Sequence, residues 1–581
     1  MCISPLPGKV SQYSRNNPGF NPMDNMCPKS RLMRTFGIGL LLWLLVGAIL
    51  YPALKTVEVS LTDSGMFSLL HYSRFFSSEA NLLPLVNSVV LGFLTVVVCG
   101  AVGTALAFSI HYFAIPGRQL FDKLLLMPLI LPGIVIVFAY VQLYGESGLV
   151  TASLKWLFGL PRAPYNFSGL GGILFVHAST QYVYFYLSVS IAIRHIDASV
   201  IESACNLGAS KTKILTSVVL PFLAPALISS AIITFISGIG SFTAPSIIGG
   251  GYKVLTTQIL LAKANNYMEV AATQVVILTA LSLILFSLSR LYEKRAVFTS
   301  SVRGVAIQPV AIANPLMRLF VLIVSAALIL IILLPVLTIL LLSFVQSETL
   351  MVNIFPDRFS WGNYLEIFTR ARKFAPFLNS TNMALLASLL GLAVALPSAY
   401  LIVKTRIQGK WLIEMLVMLP WAMPASAIAI NTINAFNTPN VFVLNTVLVG
   451  TYFLLPLAYF VRSVPLIVKT ITISLENFNE AYIEAAKSLG ASRMQAFTGI
   501  VLPMISPGII AGFLLVFIRS IGEYTISVFL YTPANKPISI AVVNGIFEYN
   551  IGLAMAYGTL LILVTTFASL VISKLAVPAY R

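Results

Sequence analysis

Long apolar runs separated by short polar segments follow one another along almost the whole chain. An α-helix needs about 20 apolar residues to cross a bilayer, and runs of that length predict six spans in each half. The first half has them at 36–59, 85–112, 121–144, 170–193, 222–248 and 270–291. The second half has them at 317–343, 379–403, 411–436, 443–464, 506–531 and 551–575. The predicted fold class is an all-α polytopic membrane protein of about 12 transmembrane helices.

The amino-acid composition and the net charge are typical of a chain that is embedded in a lipid bilayer. Hydrophobic residues make up 58% of the 581 positions and charged residues only 9%, whereas a soluble domain carries about 25% charged residues. The net charge of +17 follows from Lys and Arg that collect in the loops retained in the cytoplasm. We therefore expect both termini in the cytoplasm and no nucleic-acid partner.

The apolar runs divide the chain into four segments. Residues 1–30 lack periodicity and are predicted to be a disordered cytoplasmic tail. Residues 31–292 form the first six-span repeat and residues 317–581 the second. Between them, 293–316 is polar, carries Lys294, Arg295 and Arg303, and is predicted to be a cytoplasmic linker.

The two halves share landmark residues at fixed spacing. Asn87-Ser88, Gly117, Pro128 and Pro132 recur 292 positions later, as Asn379-Ser380, Gly409, Pro420 and Pro424. Because each half has an even number of spans, the copies should lie parallel, related by a pseudo-twofold axis around a central pathway. The paired prolines fall inside predicted spans and should kink them.

A polar loop follows the fourth predicted span of each half. The loops are Ile201–Ser210 and Ile483–Ser492, and their matching positions lie 282 apart. Each predicts a short helix that ends at a glycine with positive φ, Gly208 or Gly490. A serine then caps the next helix, and Leu220-Pro221 or Leu502-Pro503 is predicted to mark the return to the membrane.

These loops resemble the EAA loop of ABC importer permeases, through which the membrane subunit docks on its ATPase. The resemblance covers nearly all of the chain outside the tail and linker. It is to fused, two-copy permeases of binding-protein-dependent importers, most of all those of the ferric-iron type. The docking positions it implies are Glu202, Ala204, Gly208, Pro221, Glu484, Ala485, Ala486, Gly490 and Pro503. The first loop departs from the pattern at Ser203 and Cys205, and an ordinary amphipathic loop remains the alternative.

The resemblance also implies partners, location and cargo. It implies two copies of an ABC ATPase subunit, an extracytoplasmic substrate-binding protein, and the inner membrane of a bacterium. The sequence contains no Gly-Lys-Ser or Gly-Lys-Thr of a phosphate-binding loop. We therefore expect no enzyme activity and no directly bound cofactor, with ATP used by the partner subunits.

Fe(III) is the expected cargo, on the likeness of Gly522–Thr525 and Leu530–Pro533 to ferric permeases. Thiamine, aminoethylphosphonate, a polyamine or sulfate remain open within the same family. Two other classes remain as well. One is an ion-coupled secondary carrier. The other is a membrane enzyme, for which Gly145–Gly148 is the nearest candidate motif.

Polar residues within spans are the candidates for a translocation path. Arg519 and Glu523 are four apart, a spacing that shares a helix face, and ionisable groups within spans usually face a cavity. They either line the path or neutralise each other. Asn431, Asn434 and Gln142 either form a polar stripe along the path or bond neighbouring helices. The scattered Cys and His residues predict no metal site.

Overall fold

The computed structural model describes residues 28–296, 312, 314–346, 358–405 and 407–576. Most of the predicted tail and most of the predicted linker therefore lie outside the described residues. The first helix begins at Pro28, the helix before the linker ends at Ala296, and the helix after it begins at Pro315.

Helices form nearly all of the described part of the first half. The α-helices are Pro28–Leu45, Tyr51–Ser60, Leu70–Ser77, Glu79–Ala107, Arg118–Leu125, Gly133–Tyr144, Leu149–Phe158, Gly169–Thr180, Val183–Arg194, Ala198–Asn206, Lys211–Ile214, Leu220–Ile239, Thr243–Ile248, Leu255–Ala264 and Met268–Ala296. Some of them are joined by π-helical segments at Val46–Leu50, Phe108–Tyr112 and Leu215–Val219, and by a 3₁₀ turn at Met127–Leu129. One antiparallel hairpin pairs Thr62–Asp63 with Met66–Phe67.

The second half repeats this order with fewer elements. Its α-helices are Pro315–Ser343, Gly362–Thr369, Ala371–Lys404, Lys410–Ala422, Ala425–Phe436, Leu454–Glu476, Ala481–Ser488, Arg493–Ala496, Leu502–Ile521, Thr525–Leu530, Ile538–Phe547 and Ile551–Ala576. A π-helical segment lies at Phe497–Val501, and 3₁₀ turns lie at Val441–Val443 and Pro533–Asn535.

The helices confirm an all-α polytopic membrane protein. In the described ranges, 10 helices are long and apolar enough to cross a membrane, or 11 if a pair bent by 115° between Lys410–Ala422 and Ala425–Phe436 counts as one span. The run predicted at 170–193 is divided into Gly169–Thr180 and Val183–Arg194. The run predicted at 443–464 forms its helix later, at Leu454–Glu476, because Leu444, Asn445 and Gly450 adopt positive φ before it.

The third predicted span is interrupted at prolines in both halves, although Pro420 of the second pair lies inside the helix Lys410–Ala422. In the first half the helix stops at Leu125, a 3₁₀ turn contains Pro128, and the next helix starts after Pro132. In the second half the break falls between Ala422 and Ala425, next to Pro424. Proline lacks the backbone donor that a continuous helix requires and its ring clashes with the preceding turn, so the predicted kinks are present.

The recurring Asn-Ser pairs make the same tertiary contact in both halves. Asn87 Nδ2 donates to the Lys253 carbonyl at 2.9 Å, and Ser88 Oγ accepts from the Leu255 amide at 2.9 Å. In the second half, Asn379 Nδ2 donates to the Lys536 carbonyl at 3.1 Å, and Ser380 Oγ accepts from the Ile538 amide at 2.8 Å. These bonds satisfy backbone groups at the start of Leu255–Ala264 in the first half and of Ile538–Phe547 in the second. The two halves therefore share this part of the fold.

The first span of each half packs against the other half. Tyr51–Ser60 lies along Ala425–Phe436, where Asn434 Nδ2 donates to Thr56 Oγ1 at 3.2 Å. Reciprocally, Pro315–Ser343 lies along Gly133–Tyr144, where Tyr140 donates to the Ile331 carbonyl at 3.3 Å. The two repeats are therefore interlocked through exchanged spans.

A second reciprocal contact joins the halves where their helices break. A Cβ added to Gly522 would lie 2.7 Å from Pro132 Cβ, and one added to Gly240 would lie 3.4 Å from Pro424 Cβ. Gly240 and Gly522 occupy matched positions, as do the two prolines. We call this set of four residues the central contact. Reciprocal contact between matched residues is what a twofold relation between the halves produces.

Gly522→Ala should destabilise the protein, because its new methyl group meets the ring of Pro132 across the central contact. Overpacking of this kind costs about 1–3 kcal/mol, and it should lower the Tm measured in detergent. Gly251→Ala is the matched control, since a Cβ there meets nothing within 4 Å. Equal Tm values for both variants would contradict a tight contact at Gly522.

Candidate functional site

The first polar loop folds into a short helix closed by a tight turn. Ala198–Asn206 is called the first docking helix after the role that the resemblance implies for it. It is capped by Asp197, whose side chain accepts from the Ser199 amide at 3.0 Å. Gly208 follows with φ +78, and the Ala209 amide then donates to the Ala204 carbonyl at 3.0 Å. Positive φ is easy only for glycine, so Gly208 fixes this turn.

The second polar loop has the same geometry. Ala481–Ser488, the second docking helix, is preceded by Asn479, whose side chain accepts from the Ala481 amide at 3.0 Å. Gly490 has φ +85, and the Ala491 amide donates to the Ala486 carbonyl at 3.0 Å. The predicted helix, glycine turn and second helix are thus present in both loops.

The predicted serine caps are also present in both loops. Ser210 Oγ accepts from the Lys213 amide at 3.3 Å, and Ser492 Oγ accepts from the Gln495 amide at 3.3 Å. Only the second loop adds the return bond, in which the Ser492 amide donates to Gln495 Oε1 at 2.8 Å. The rigid turn therefore connects each docking helix to the helix that enters the membrane.

The docking residues predicted from the sequence differ in how exposed they are to solvent. Most are on the surface: Glu202, Gly208, Pro221, Glu484, Ala485, Gly490 and Pro503 are exposed. Ala204 is half-buried, and Ala486 is buried beneath the second loop. The acidic residues therefore face outward while the small residues allow the helix to sit closely on the chain below.

An exposed leucine at the tip of each loop was not singled out by the sequence. Leu207 is 87% exposed and Leu489 is 89% exposed, each directly before the turn glycine. Their matched positions within the two polar loops were the available signal. Single exposed apolar residues are common on protein surfaces, but a pair at equivalent positions gives each loop the same apolar tip.

The helix that contains Leu-Pro begins earlier in the chain than that dipeptide in both halves. The helices already begin at Lys211 and Arg493, and continuous spans run over Thr212–Ile239 and Met494–Ile521. Pro221 and Pro503 lie inside these rods, just after the π-helical segments. A wider turn accommodates the proline that a regular α-helix would exclude, so the chain continues without a break.

The two loops are held to the chain below by different groups. Lys404 Nζ lies 2.9 Å from Glu480 Oε1 beside the second docking helix, and 5.6 Å from the ring centroid of Phe478. At the position matching Lys404 the first half has Tyr112. The loops therefore share their backbone geometry but differ in their supporting contacts.

The polar pair predicted in the eleventh span is arranged differently from the prediction. The helix ends at Ile521, so Glu523 lies in the break beyond it and the two residues do not share a helix face. Glu523 Oε1 accepts from the Ile526 amide at 3.2 Å. Its Oε2 lies 3.4 Å from Arg462 Nε, which makes Arg462, and not Arg519, its ionic partner among the described residues.

Arg462 was not among the residues predicted to line the path, because the predicted boundary of its span was misplaced. The run predicted at 443–464 places it two residues from the end, where positive charge is ordinary. In the structure it lies well inside Leu454–Glu476, where an ionisable residue requires a partner. Glu523, Arg519 and Tyr184 of the other half lie within electrostatic reach of it.

The first half has neutral groups at the matching positions. Ser241, which matches Glu523, has its Oγ 2.9 Å from His177 Nε2, and His177 Nδ1 lies 2.8 Å from Thr95 Oγ1. His177 is 2% exposed. The break beside the central contact is therefore polar in both halves and charged only in the second.

The three amides named as path candidates do not form one stripe. Asn434 bonds Thr56 across the halves, which is the interhelical alternative. Asn431 is buried, with Nδ2 3.9 Å from Met423 Sδ and no partner for Oδ1 within the described ranges. Gln142 is half-buried.

Over the same described residues, no group of three His, Cys, Asp or Glu side chains could hold a metal ion.

Comparison with known proteins identifies the family. The family described as "Binding-protein-dependent transport system inner membrane component" matches the chain twice, over residues 103–298 and 387–580. The probable ABC transporter permease protein y4fN of Sinorhizobium fredii is 32% identical over 90% of this chain and 92% of its own length.

Two further relatives carry names that state a cargo. The Fe(3+)-transport system permease protein FbpB 2 of Haemophilus influenzae is 25% identical over 91% of this chain and 95% of its own length. The putative 2-aminoethylphosphonate transport system permease protein PhnU of Salmonella choleraesuis is 27% identical over 44% of this chain and 93% of its own length.

The family match covers both halves and more than half of the chain. This protein therefore belongs to the binding-protein-dependent inner membrane permeases of ABC importers, with two copies of the family domain in one chain.

Proposed function

We propose that this permease forms the translocation path for Fe(III), delivered by an extracytoplasmic binding protein and driven by two copies of an ATPase subunit. Residues 31–292 and 317–581 supply the two halves of the path, with 293–316 as the linker. Both termini and both docking loops face the cytoplasm. The observation that carries the proposal is the pair of docking loops with equal backbone geometry and equal apolar tips.

The two loops fit two ATPase subunits because each offers the same elements in the same order. An exposed glutamate, Glu202 or Glu484, lies on the outer face of the docking helix. An exposed leucine, Leu207 or Leu489, projects at its end. Together they supply one charged and one apolar contact for a cleft in each partner.

A direct mechanical connection runs from each loop toward the centre of the protein. The first docking helix turns at Gly208 into a rod that extends from Lys211 to Ile239, roughly 40 Å at 1.5 Å per residue. The residue after this rod is Gly240, which meets Pro424 of the other half. Movement of the first loop on ATP binding would therefore act on the central contact through Gly240. Movement of the second loop would act on it through Gly522.

The choice of Fe(III) rests on the ferric relative of Haemophilus influenzae, which covers 91% of this chain. Aminoethylphosphonate is the second candidate, supported by the phosphonate relative over part of the chain. Thiamine, a polyamine and sulfate stay within the same mechanism. An ion-coupled secondary carrier is the alternative of a different class.

Glu202→Lys or Glu484→Lys should each reduce ATP-dependent uptake at least tenfold, because a reversed charge faces the ATPase at one of two required sites. Uptake of ⁵⁵Fe(III) is measured in proteoliposomes that contain the permease, its ATPase and its binding protein. Glu146→Lys, an exposed acidic position outside both loops, is the matched control. Uptake that needs an ion gradient and no ATP would support the secondary carrier instead.

Leu207→Asp or Leu489→Asp should reduce the amount of ATPase that copurifies with the permease, because a charge replaces the apolar tip of one loop. Leu207→Met and Leu489→Met keep an apolar side chain and should retain the partner. The ATPase is quantified against the permease after detergent purification at fixed salt. Full retention of the partner by both aspartate variants would show that the tips make no contact.

A further inference from the structure

We propose that the cargo passes the central contact as an oxyanion, or as a ferric ion that keeps an oxyanion ligand, and that Arg519 is the residue that recognises it. This inference rests on the proposed path between the two halves. It adds a substrate class and a specificity residue to that path.

Arg519 lies directly beside the central contact. It occupies the last turn of Leu502–Ile521, three residues before Gly522, which is the residue that ends this helix. Gly522 meets Pro132 of the other half, so Arg519 lies about one helical turn from the point where the halves touch. Its side chain is exposed although it belongs to an apolar span.

The positive charge of Arg519 is not neutralised by the carboxylate next to it. Both oxygens of Glu523 are engaged, one by the Ile526 amide and the other by Arg462. Across the described part of the chain, no carboxylate lies within ion-pair distance of Arg519. The cluster of Arg462, Glu523 and Arg519 therefore carries one excess positive charge.

The first half does not balance that charge. Ser237 matches Arg519 and Ser241 matches Glu523, so both positions are neutral. His177 has both ring nitrogens in hydrogen bonds, to Thr95 and to Ser241. Neither matched position of the first half contributes a charge at the central contact.

A guanidinium in this position selects for negative charge. Its planar donors match the geometry of a carboxylate, phosphate or sulfate group, and charge-assisted hydrogen bonds are the strong ones. A bare trivalent cation would meet repulsion from Arg519 beside the central contact. A ferric ion with phosphate or carbonate still bound would instead present oxyanion oxygens to the same donors.

The test compares charge variants in the complete transport complex. Arg519→Gln should lower ATP-dependent uptake at least tenfold, while the ATPase activity stimulated by the binding protein stays within about twofold of wild type. Arg519→Lys should restore most of the uptake. The double variant Arg519→Gln with Ser237→Arg returns the cation to the matched position of the other half, and should recover uptake above the single variant.

Two labelled cargoes separate the sources of the oxyanion. Entry of ³²P-phosphate together with ⁵⁵Fe(III) indicates a ferric complex, and entry of ³⁵S-sulfate or ³²P-phosphate alone indicates a free oxyanion. Uptake of oxyanions without any ⁵⁵Fe(III) would remove iron from the proposed function and leave the present inference intact. ⁵⁵Fe(III) uptake that Arg519→Gln leaves equal or raises would overturn the inference while iron transport stands.

A binding measurement covers the case in which neither label is transported. Phosphate or sulfate at millimolar concentration should raise the Tm of the purified full chain relative to chloride at equal ionic strength. The increase should be lost in Arg519→Gln and kept in Arg519→Lys. No increase in the wild-type protein, combined with no transport of either label, would also overturn the inference.

Discussion

The close approach of Gly240 to Pro424 and of Gly522 to Pro132 is the constraint on which the centre of this protein depends. In each contact a glycine of one half lies against a proline beside a helix break of the other, and the approach is closer at Gly522 than at Gly240. Backbone that leaves a helix inside a bilayer is tolerated only where protein or a polar cavity covers it. The reciprocal contact provides that cover, because each half shields the broken segment of the other.

A continuous helix leads from each docking loop to this contact. A rod that runs from Lys211 to Ile239 joins the turn at Gly208 to the glycine of the central contact, Gly240. Pro221 would normally break such a rod. The π-helical segment Leu215–Val219 accommodates the proline, and an equivalent segment lies at Phe497–Val501. The same device recurs in both halves, so each docking loop is followed by an unbroken helix despite its proline.

Sequence alone predicted the features that depend on local pattern. Apolar length located most spans, and glycine and serine chemistry located the turns and caps of both docking loops. Matched spacing also identified Asn87-Ser88 and Asn379-Ser380, whose tertiary bonds proved to be the same. These predictions succeeded because the relevant forces act within a few residues or repeat between the halves.

The features that sequence did not predict depend on contacts between distant segments. Apolar composition does not distinguish a helix from an apolar turn, so the start of the span at Leu454 and the end of another at Ile521 were misplaced. Because the span that contains Arg462 starts later than predicted, this residue was taken for one at a span end. Because the other helix ends at Ile521, Glu523 does not share a face with Arg519 as predicted. The pairing of these two residues follows from the tertiary position of the breaks, which the pattern of either segment does not contain.

Fusion of the two copies into one chain gives the halves a freedom that a symmetric dimer lacks. In a homodimer, every charge placed at the centre would appear twice, on both sides of the axis. Here the second half carries Arg462, Glu523 and Arg519, whereas the first half has a neutral network around His177. A second copy of the charged cluster would bring a second uncompensated cation beside the central contact, and the two would repel each other. Fusion allows one half to carry the charged cluster while the other half stays neutral at the matched positions.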